Sequence, residues 1–306
     1  MTPVRWLAVL LLAGCTAASA PPTPQACSIR KAAEIPVTFV QGFVSVPATI
    51  EDKPVTLLLD TGAESSMVTP VAMALLRLQA DAHRHTTIQG TGGAITTQNA
   101  RLQSFGIGGM DMTDQSAAVG PLPSAQAAAA NASGLLGADW LSGFDVELDL
   151  PHRRVALYRV EGCDGDYVPW QGPKESVVAQ VYRRGLVLLS ADLDGQPITA
   201  VLDSGANRSV LTETAAARIG AGASVLAQDP AATSNGVGGT TVTTHLHRFG
   251  RLRIGHASTG NPAIIVGPLH LAMADMLLGA DWLRGNRVWI SYATRRVTIQ
   301  PVAFGG

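Results

Sequence analysis

Two short segments of the chain repeat one arrangement, an apolar strand that runs into an aspartate, a hydroxyl residue and a glycine. Residues 57–63 contain Asp60, and residues 200–206 contain Asp203. One copy in each half predicts that the two carboxylates meet across a pseudo-twofold axis. Like charges at close range cannot both ionise, so one carboxyl would keep its proton as an acid while the other serves as a base. The pair therefore predicts a catalytic site.

The elements that must position these aspartates are repeated as well. Asp203 follows Asp60 by 143 residues, and the same offset aligns the strand, turn and strand that precede each aspartate. After the aspartates, Thr69 and Thr212 each have the character of a helix N-cap, ahead of apolar segments. The pattern indicates a duplicated unit of strand, turn, strand, Asp loop, strand and helix.

The repeat continues beyond these helices with glycine-rich tips between β-prone arms, which are typical of hairpins. The first tip holds Gly90, Thr91, Gly92 and Gly93, and the second holds Gly236, Val237, Gly238 and Gly239. Each half then closes with the sequence Leu-Leu-Gly-Ala-Asp-Trp-Leu, at residues 135–141 and 277–283.

Composition sets the limits of the fold. The 306 residues are 46% hydrophobic and 15% charged, with 32 Gly, 18 Pro and many alternating Val, Thr and Ile positions, which favours an all-β globular protein with a few short helices. We expect an N-terminal lobe over 35–160, a linker over 161–175 and a C-terminal lobe over 176–304. The net charge of −1 and the scattered basic residues argue against a nucleic-acid partner.

The N-terminus has the features of a targeting segment. Arg5 precedes an apolar run over residues 6–13 that is far shorter than the roughly 20 residues needed to span a bilayer, so residues 1–14 are predicted to be a signal peptide. The run ends in Leu-Ala-Gly-Cys, which resembles a bacterial lipobox and implies lipidation of Cys15. The alternative is an ordinary signal peptide cut near Ala18 or Ala20.

With Cys15 lipidated, residues 15–34 would form an Ala/Pro-rich tether. The protein would then lie in the periplasm, anchored by its lipid, and Thr16 after the cysteine favours the outer membrane. Cys27 and Cys163 remain, and an oxidising periplasm allows a disulfide between them. Two unpaired thiols are the alternative, because the sequence does not give the distance between them.

The ordered set of motifs, found twice, resembles the retropepsin-like and pepsin-like aspartic proteases, and most of all bacterial retropepsin-like proteins with two fused halves. That resemblance implies two pseudo-symmetric β-barrel lobes and an aspartic endopeptidase of peptides or proteins. Asp60 and Asp203 would hold the attacking water, with no covalent intermediate, metal or other cofactor. An extended peptide would bind in the cleft as an added strand.

The resemblance also implies roles for the neighbouring residues. Thr61 and Ser204 would hydrogen-bond between the loops, and Gly62 and Gly205 would allow backbone and substrate to approach closely. The positions expected next to substrate are Ala63, Glu64, Ala206 and Asn207, together with both glycine tips, which match the family's flaps. Asp139 and Asp281 would cap short helices.

Ala63 and Ala206 also bear on the pH dependence. Pepsins carry Ser or Thr at these positions, and a hydroxyl that donates to the carboxylate stabilises the charged form. Without it the apparent pKa values of the pair should be higher, which predicts activity at weakly acid to neutral pH.

Duplication supplies both half-sites in one chain, so we expect a monomer. A catalytically silent envelope lipoprotein that uses the same cleft to bind peptide is the alternative function.

Overall fold

The computed structural model describes residues 26–90, 93–123, 126, 131–235 and 241–302. Several predicted features lie outside these residues: the signal peptide, Cys15, and the tip residues Thr91, Gly92, Gly236, Val237, Gly238 and Gly239. Among the described helices, none has the length and apolar character required to cross a membrane.

The first lobe is built from short strands joined by turns and short helices. Its strands are β1 (Ser28–Pro36), β2 (Thr38–Val40), β3 (Phe43–Ile50), β4 (Lys53–Leu59), β5 (Met67–Val68), β6 (Gln79–Gly90), β7 (Gly93–Ile107), β8 (Met110–Val119), β9 (Gly134–Leu136), β10 (Asp145–Asp149) and β11 (Arg154–Glu161). Its helices are α1 (Pro70–Leu76) and α2 (Ala138–Leu141), and a 3-10 turn covers Leu150–His152.

The second lobe repeats this order. Its strands are β12 (Glu175–Tyr182), β13 (Leu186–Leu193), β14 (Gln196–Leu202), β15 (Val210–Thr212), β16 (Ala231–Asn235), β17 (Thr241–Arg248), β18 (Arg251–Ile254), β19 (Ala257–Gly260), β20 (Ala263–Gly267), β21 (Met276–Leu278), β22 (Asn286–Ser291) and β23 (Arg296–Pro301). Its helices are α3 (Glu213–Ile219), α4 (Ala223–Leu226) and α5 (Ala280–Leu283).

Both lobes share one pattern of strand pairing around the aspartates. In the first lobe β4 runs parallel to β9, and β5 lies antiparallel to β9 and parallel to β8. In the second lobe β14, β21, β15 and β20 repeat these pairings. The all-β, two-lobed fold predicted from the sequence is confirmed.

The lobes are joined by a shared sheet with the strand order β1, β11, β10, β22, β23 and β12. Its contact between the lobes includes a buried ion pair, in which Glu147 of β10 accepts hydrogen bonds from Arg154 at 2.9 Å and from Nε of Arg287 at 2.8 Å. Tyr158 also donates a hydrogen bond to the same carboxylate, at 2.7 Å. Because Arg287 belongs to the second lobe, the pair fixes one lobe against the other.

The start of the chain departs from the predicted tether. Residues 28–34 are part of β1, which pairs antiparallel with β11 and buries Ala33 and Ile35, so the prediction of a tether over 15–34 is wrong for these residues. The Ala/Pro-rich composition ends at residue 25, and alternating side chains with backbone hydrogen bonds follow it. A disulfide joins Cys27 to Cys163, and thereby links the start of β1 to the segment after β11.

The two predicted helix starts are confirmed. Thr69 Oγ1 accepts a hydrogen bond from the Ala72 amide at 3.0 Å, and Thr212 Oγ1 accepts one from the Ala215 amide at 3.2 Å. Each cap satisfies a backbone N–H that the first helical turn would leave without a partner. Each cap lies where the short strand that follows the Asp loop ends and the helix begins.

Candidate active site

The two aspartates stand at the ends of equivalent strands and lie side by side at the boundary between the lobes. Asp60 follows β4 and Asp203 follows β14, and each side chain is 8% exposed. The Asp60 amide donates to the Leu136 carbonyl and the Asp203 amide donates to the Leu278 carbonyl, both at 3.0 Å. The Leu-Leu-Gly segments therefore lie behind the Asp loops and support them.

Thr61 and Ser204 connect the two loops through four reciprocal hydrogen bonds. The Thr61 hydroxyl donates to the Leu202 carbonyl at 2.7 Å and accepts from the Ser204 amide at 3.0 Å. The Ser204 hydroxyl donates to the Leu59 carbonyl at 2.7 Å and accepts from the Thr61 amide at 3.1 Å. Both side chains are fully buried, so each hydroxyl satisfies backbone groups of the opposite lobe that water does not reach.

Gly62 and Gly205 each face the carboxyl of the opposite lobe. A Cβ atom at Gly62 would lie 2.4 Å from Asp203 Cγ, and one at Gly205 would lie 2.2 Å from Asp60 Cγ. Real Cβ atoms do not come so close to another heavy atom. The glycines are therefore required for the two aspartates to sit together.

The two carboxyls differ in their hydrogen bonds. Asp203 Oδ1 accepts from the amides of Gly205 at 2.9 Å and Ala206 at 3.1 Å, whereas Asp60 Oδ1 accepts from the Gly62 amide at 3.0 Å. Burial raises the pKa of Asp60 well above its usual range, and the nearby charge of Asp203 raises it further. Burial also raises the pKa of Asp203. Backbone amides oppose the effect of burial at both carboxyls, those of Gly62 and Ala63 at Asp60 and those of Gly205 and Ala206 at Asp203. Both carboxyls are therefore harder to ionise than an exposed aspartate, and Asp60 is the more strongly affected of the two.

The residues after each triplet bind the opposite lobe or the supporting helix. Glu64 pairs with Arg183 at 3.4 Å, and the Asn207 side-chain amide donates to the Gln41 carbonyl at 3.2 Å. Arg183 and Gln41 lie in the equivalent turns that precede β13 and β3. The side chains of Glu64 and Asn207 are thus held by these turns, and their contact with substrate stays a prediction.

The backbone at the two alanines supports α2 and α5. The Ala63 carbonyl accepts from the Ala138 amide and the Ala206 carbonyl accepts from the Ala280 amide, both at 2.8 Å. A role for Ala63 and Ala206 in binding substrate stays a prediction as well.

The glycine-rich segments are hairpins in both lobes. In the first, β6 and β7 pair up to Gly90 opposite Gly93; in the second, β16 and β17 pair up to Asn235 opposite Thr241. The first hairpin carries Ile88, which packs beside Ala63 on apolar residues next to the Asp60 loop. That hairpin therefore lies over the first Asp loop.

Two serines that the sequence did not predict as site residues connect each Asp loop to the short helix behind it. Ser66 donates through its amide and its hydroxyl to Asp139, at 2.9 and 2.7 Å, and Ser209 does the same to Asp281 at the same distances. The N-cap positions of α2 and α5 are Gly137 and Gly279, so Asp139 and Asp281 are not the N-cap residues that the sequence predicted. Each carboxylate nevertheless accepts a hydrogen bond from an amide of the first turn, Asp139 from Trp140 at 2.9 Å and Asp281 from Trp282 at 2.8 Å. Each aspartate also ties its helix to the Asp loop. The 143-residue offset relates Ser66 to Ser209 and is the signal that could have found them.

Gln126, between β8 and β9 of the first lobe, is a further contact to the second Asp loop. Its side-chain amide donates to the Gly205 carbonyl at 3.0 Å. No repeated motif contains this residue, so the sequence carried no signal for it.

Comparison with known families supports the internal duplication. A family model described as aspartyl protease matches residues 46–140 and, a second time, residues 189–282. Each match covers one Asp loop, one hairpin and one Leu-Leu-Gly-Ala-Asp segment. A comparison with curated proteins finds no match.

Proposed function

The chain belongs to the aspartyl protease family, and from its site we propose that it is an endopeptidase in which Asp60 and Asp203 activate a water molecule. The observation that carries this proposal is the contact of the two buried carboxyls, held by the reciprocal hydrogen bonds of Thr61 and Ser204. A shared proton gives the pair one acid and one base at the same pH.

The unequal environments support different roles for the two aspartates in this proposal. Asp203, whose charged form is stabilised by two backbone amides, takes a proton from water as the water oxygen attacks the scissile carbonyl carbon. Asp60 gives its proton to the carbonyl oxygen, which forms a neutral tetrahedral diol. The proton on Asp203 then passes to the amide nitrogen, the C–N bond breaks, and a diol proton returns to Asp60.

We also propose that the protein acts in the periplasm as a lipid-anchored monomer. The site draws one aspartate from each lobe of one chain, so a second copy is not needed to complete it. The Cys27–Cys163 bond suits an oxidising compartment. The mass of the mature N-terminus tests the anchor, because lipidated Cys15 and a cut near Ala18 or Ala20 give different masses.

Activity is tested with the full-length chain in detergent, on a peptide library between pH 3 and 8. Asp60→Asn and Asp203→Asn should each lower kcat/KM by about 10²–10⁴-fold, the usual contribution of a general acid or base. Asp114→Asn, at an exposed aspartate paired with Arg101, is the matched control and should leave activity unchanged.

Cleavage that survives in either dyad variant would refute the assignment of Asp60 and Asp203. If the unaltered chain cleaves no peptide in this pH range, the peptide-binding lipoprotein becomes the better account.

A further inference from the structure

The cleft carries equivalent apolar surfaces in its two lobes. In the first lobe a group of buried apolar side chains packs beside Ala63 and beneath Ile88, and we call this group the first apolar cluster. Its members around β5 are Phe43, Leu58, Met67, Ala118 and Leu135. Because Ala63 follows the Asp60 triplet and Ile88 lies two residues before Gly90, this cluster occupies the space between the Asp loop and the hairpin.

The strand register identifies the matching positions in the second lobe. Met67 pairs with Ala118 and Leu135, and Val210 pairs with Ile265 and Leu277 in the same pattern. The 143-residue offset adds the remaining two positions. We call the resulting set the second apolar face: Leu186, Val201, Val210, Ile265 and Leu277.

These two surfaces differ in how far they are covered. All five members of the first apolar cluster are buried, with Met67 at 5% exposure and Ala118 at 1%. Of the second apolar face, Val201 is buried and the other four members are partly exposed. The second lobe therefore leaves apolar surface open at the place where the first lobe has none.

Side chains of the first lobe itself provide the cover. A Cβ at Gly120 would lie 2.7 Å from both Ile88 Cδ1 and Met67 Sδ, so these two side chains meet at the cluster. Leu122 and Ala132, from the connection over 120–133, add to it. In the second lobe the shorter Val210 replaces Met67, and the connection over 268–275 is shorter than the one over 120–133.

We propose that this asymmetry sets the substrate preference: a large apolar side chain binds the second apolar face, and the substrate residue that faces the first lobe must be small. The proposal rests on the proposed peptidase function. Successive side chains of an extended peptide point to opposite sides, so the two residues that flank the scissile bond meet different lobes. Ile88 is then the residue that excludes large side chains from the first lobe.

Four peptides that differ only at the central pair test this inference: Leu-Ala, Ala-Leu, Leu-Leu and Ala-Ala. One mixed peptide should be cleaved best by the full-length chain, about tenfold or more faster than Ala-Ala and than Leu-Leu, with the cleaved bond located by mass spectrometry. Leu-Leu as the best substrate, or equal rates for both mixed peptides, would overturn the proposal.

Variants in each lobe test which lobe sets each part of the substrate preference. Ile88→Ala should raise cleavage of Leu-Leu about tenfold relative to the best mixed peptide, whereas the matched control Ile88→Val should change this ratio little. Val210→Met, which copies Met67, should lower cleavage of the best mixed peptide. Circular dichroism of each variant establishes that it is folded. An unchanged Leu-Leu ratio in folded Ile88→Ala would contradict the role of Ile88.

Binding of the same peptides to Asp203→Asn, measured by calorimetry, separates the two proposals. If no peptide is cleaved but the affinities keep the predicted order, the peptidase function fails and the asymmetric cleft stands. If peptides are cleaved without that order, the function stands and this inference fails. If no peptide is cleaved and none is bound, both proposals are refuted.

Discussion

The two lobes hold the same aspartate in different surroundings. Asp203 accepts hydrogen bonds from the amides of Gly205 and Ala206, while Asp60 has the Gly62 amide at its carboxylate and lies next to the charge of Asp203. A symmetric dimer would impose one environment on both carboxyls. Duplication within one chain allows them to differ, and the proposed roles of Asp60 as the acid and Asp203 as the base depend on that difference. The asymmetry of the apolar surfaces has the same origin.

The largest effect should come from the glycines that let the two carboxyls meet. Gly62→Ala and Gly205→Ala should each lower kcat/KM by about 10²-fold or more, because a Cβ at either position would displace the opposite carboxyl. Gly260→Ala is the matched control, since a Cβ there meets nothing within 4 Å. Full activity in either loop variant would contradict the close contact of the aspartates.

The hydroxyls of Thr61 and Ser204 should contribute equally to the stability of the protein. Thr61→Val leaves the Ser204 amide and the Leu202 carbonyl without partners, and Ser204→Ala does the same to the Thr61 amide and the Leu59 carbonyl. Two unsatisfied buried groups should lower the free energy of unfolding by about 2–5 kcal/mol in each variant, measured by urea denaturation. Exposed Ser190→Ala is the control. A large decrease in the free energy of unfolding in only one of the two variants would contradict an equal contribution of the two hydroxyls.

The disulfide is a feature of the first lobe's outer strand, and its removal tests how much that strand depends on it. Cys27→Ser combined with Cys163→Ser should lower the free energy of unfolding by about 2–4 kcal/mol, because the bond constrains a long loop of the unfolded chain. Thiol titration of the unaltered protein should find both residues oxidised. Two reactive thiols would support the unpaired alternative.

The two buried aspartates should make the stability of the fold depend on pH. A carboxyl whose pKa is raised on folding binds more protons in the folded state, so its contribution to stability falls as the pH rises from its unfolded pKa through its folded pKa. Asp60→Asn removes that loss and should raise the urea midpoint at pH 7 but not at pH 3. Asp203→Asn should also raise the midpoint at pH 7, because the charge of Asp203 contributes to the raised pKa of Asp60. No gain at pH 7 in either variant would contradict the raised pKa values of the pair.

The smallest predicted effect concerns the alanines after the triplets. A hydroxyl introduced by Ala63→Ser can donate to Asp60 and stabilise its charged form, so the alkaline limb of the pH–rate profile should move to lower pH. Ala206→Ser should instead move the acidic limb to lower pH through Asp203. An optimum below about pH 3 in the unaltered chain, with no change in Ala63→Ser, would refute this account.

Local sequence patterns predicted much of this molecule. The doubled triplets identified both aspartates, and Thr69 and Thr212 marked helix starts because a cap depends on residues within one turn. The same kind of reading failed for residues 28–34, where a polar, alanine-containing stretch pairs with β11, more than a hundred residues away. It also missed Gln126, whose contact with Gly205 depends on a connection that is not repeated.

The sequence by itself determined the duplication, the class of fold and the identity of the paired carboxyls, because each is written in short motifs at a fixed offset. Tertiary structure alone decided that Gly62 faces Asp203 and that Ile88 covers the first apolar cluster. These features depend on how two similar lobes pack against each other within a few tenths of an ångström. A motif specifies which residues are present, whereas such distances arise from all the contacts of both lobes together.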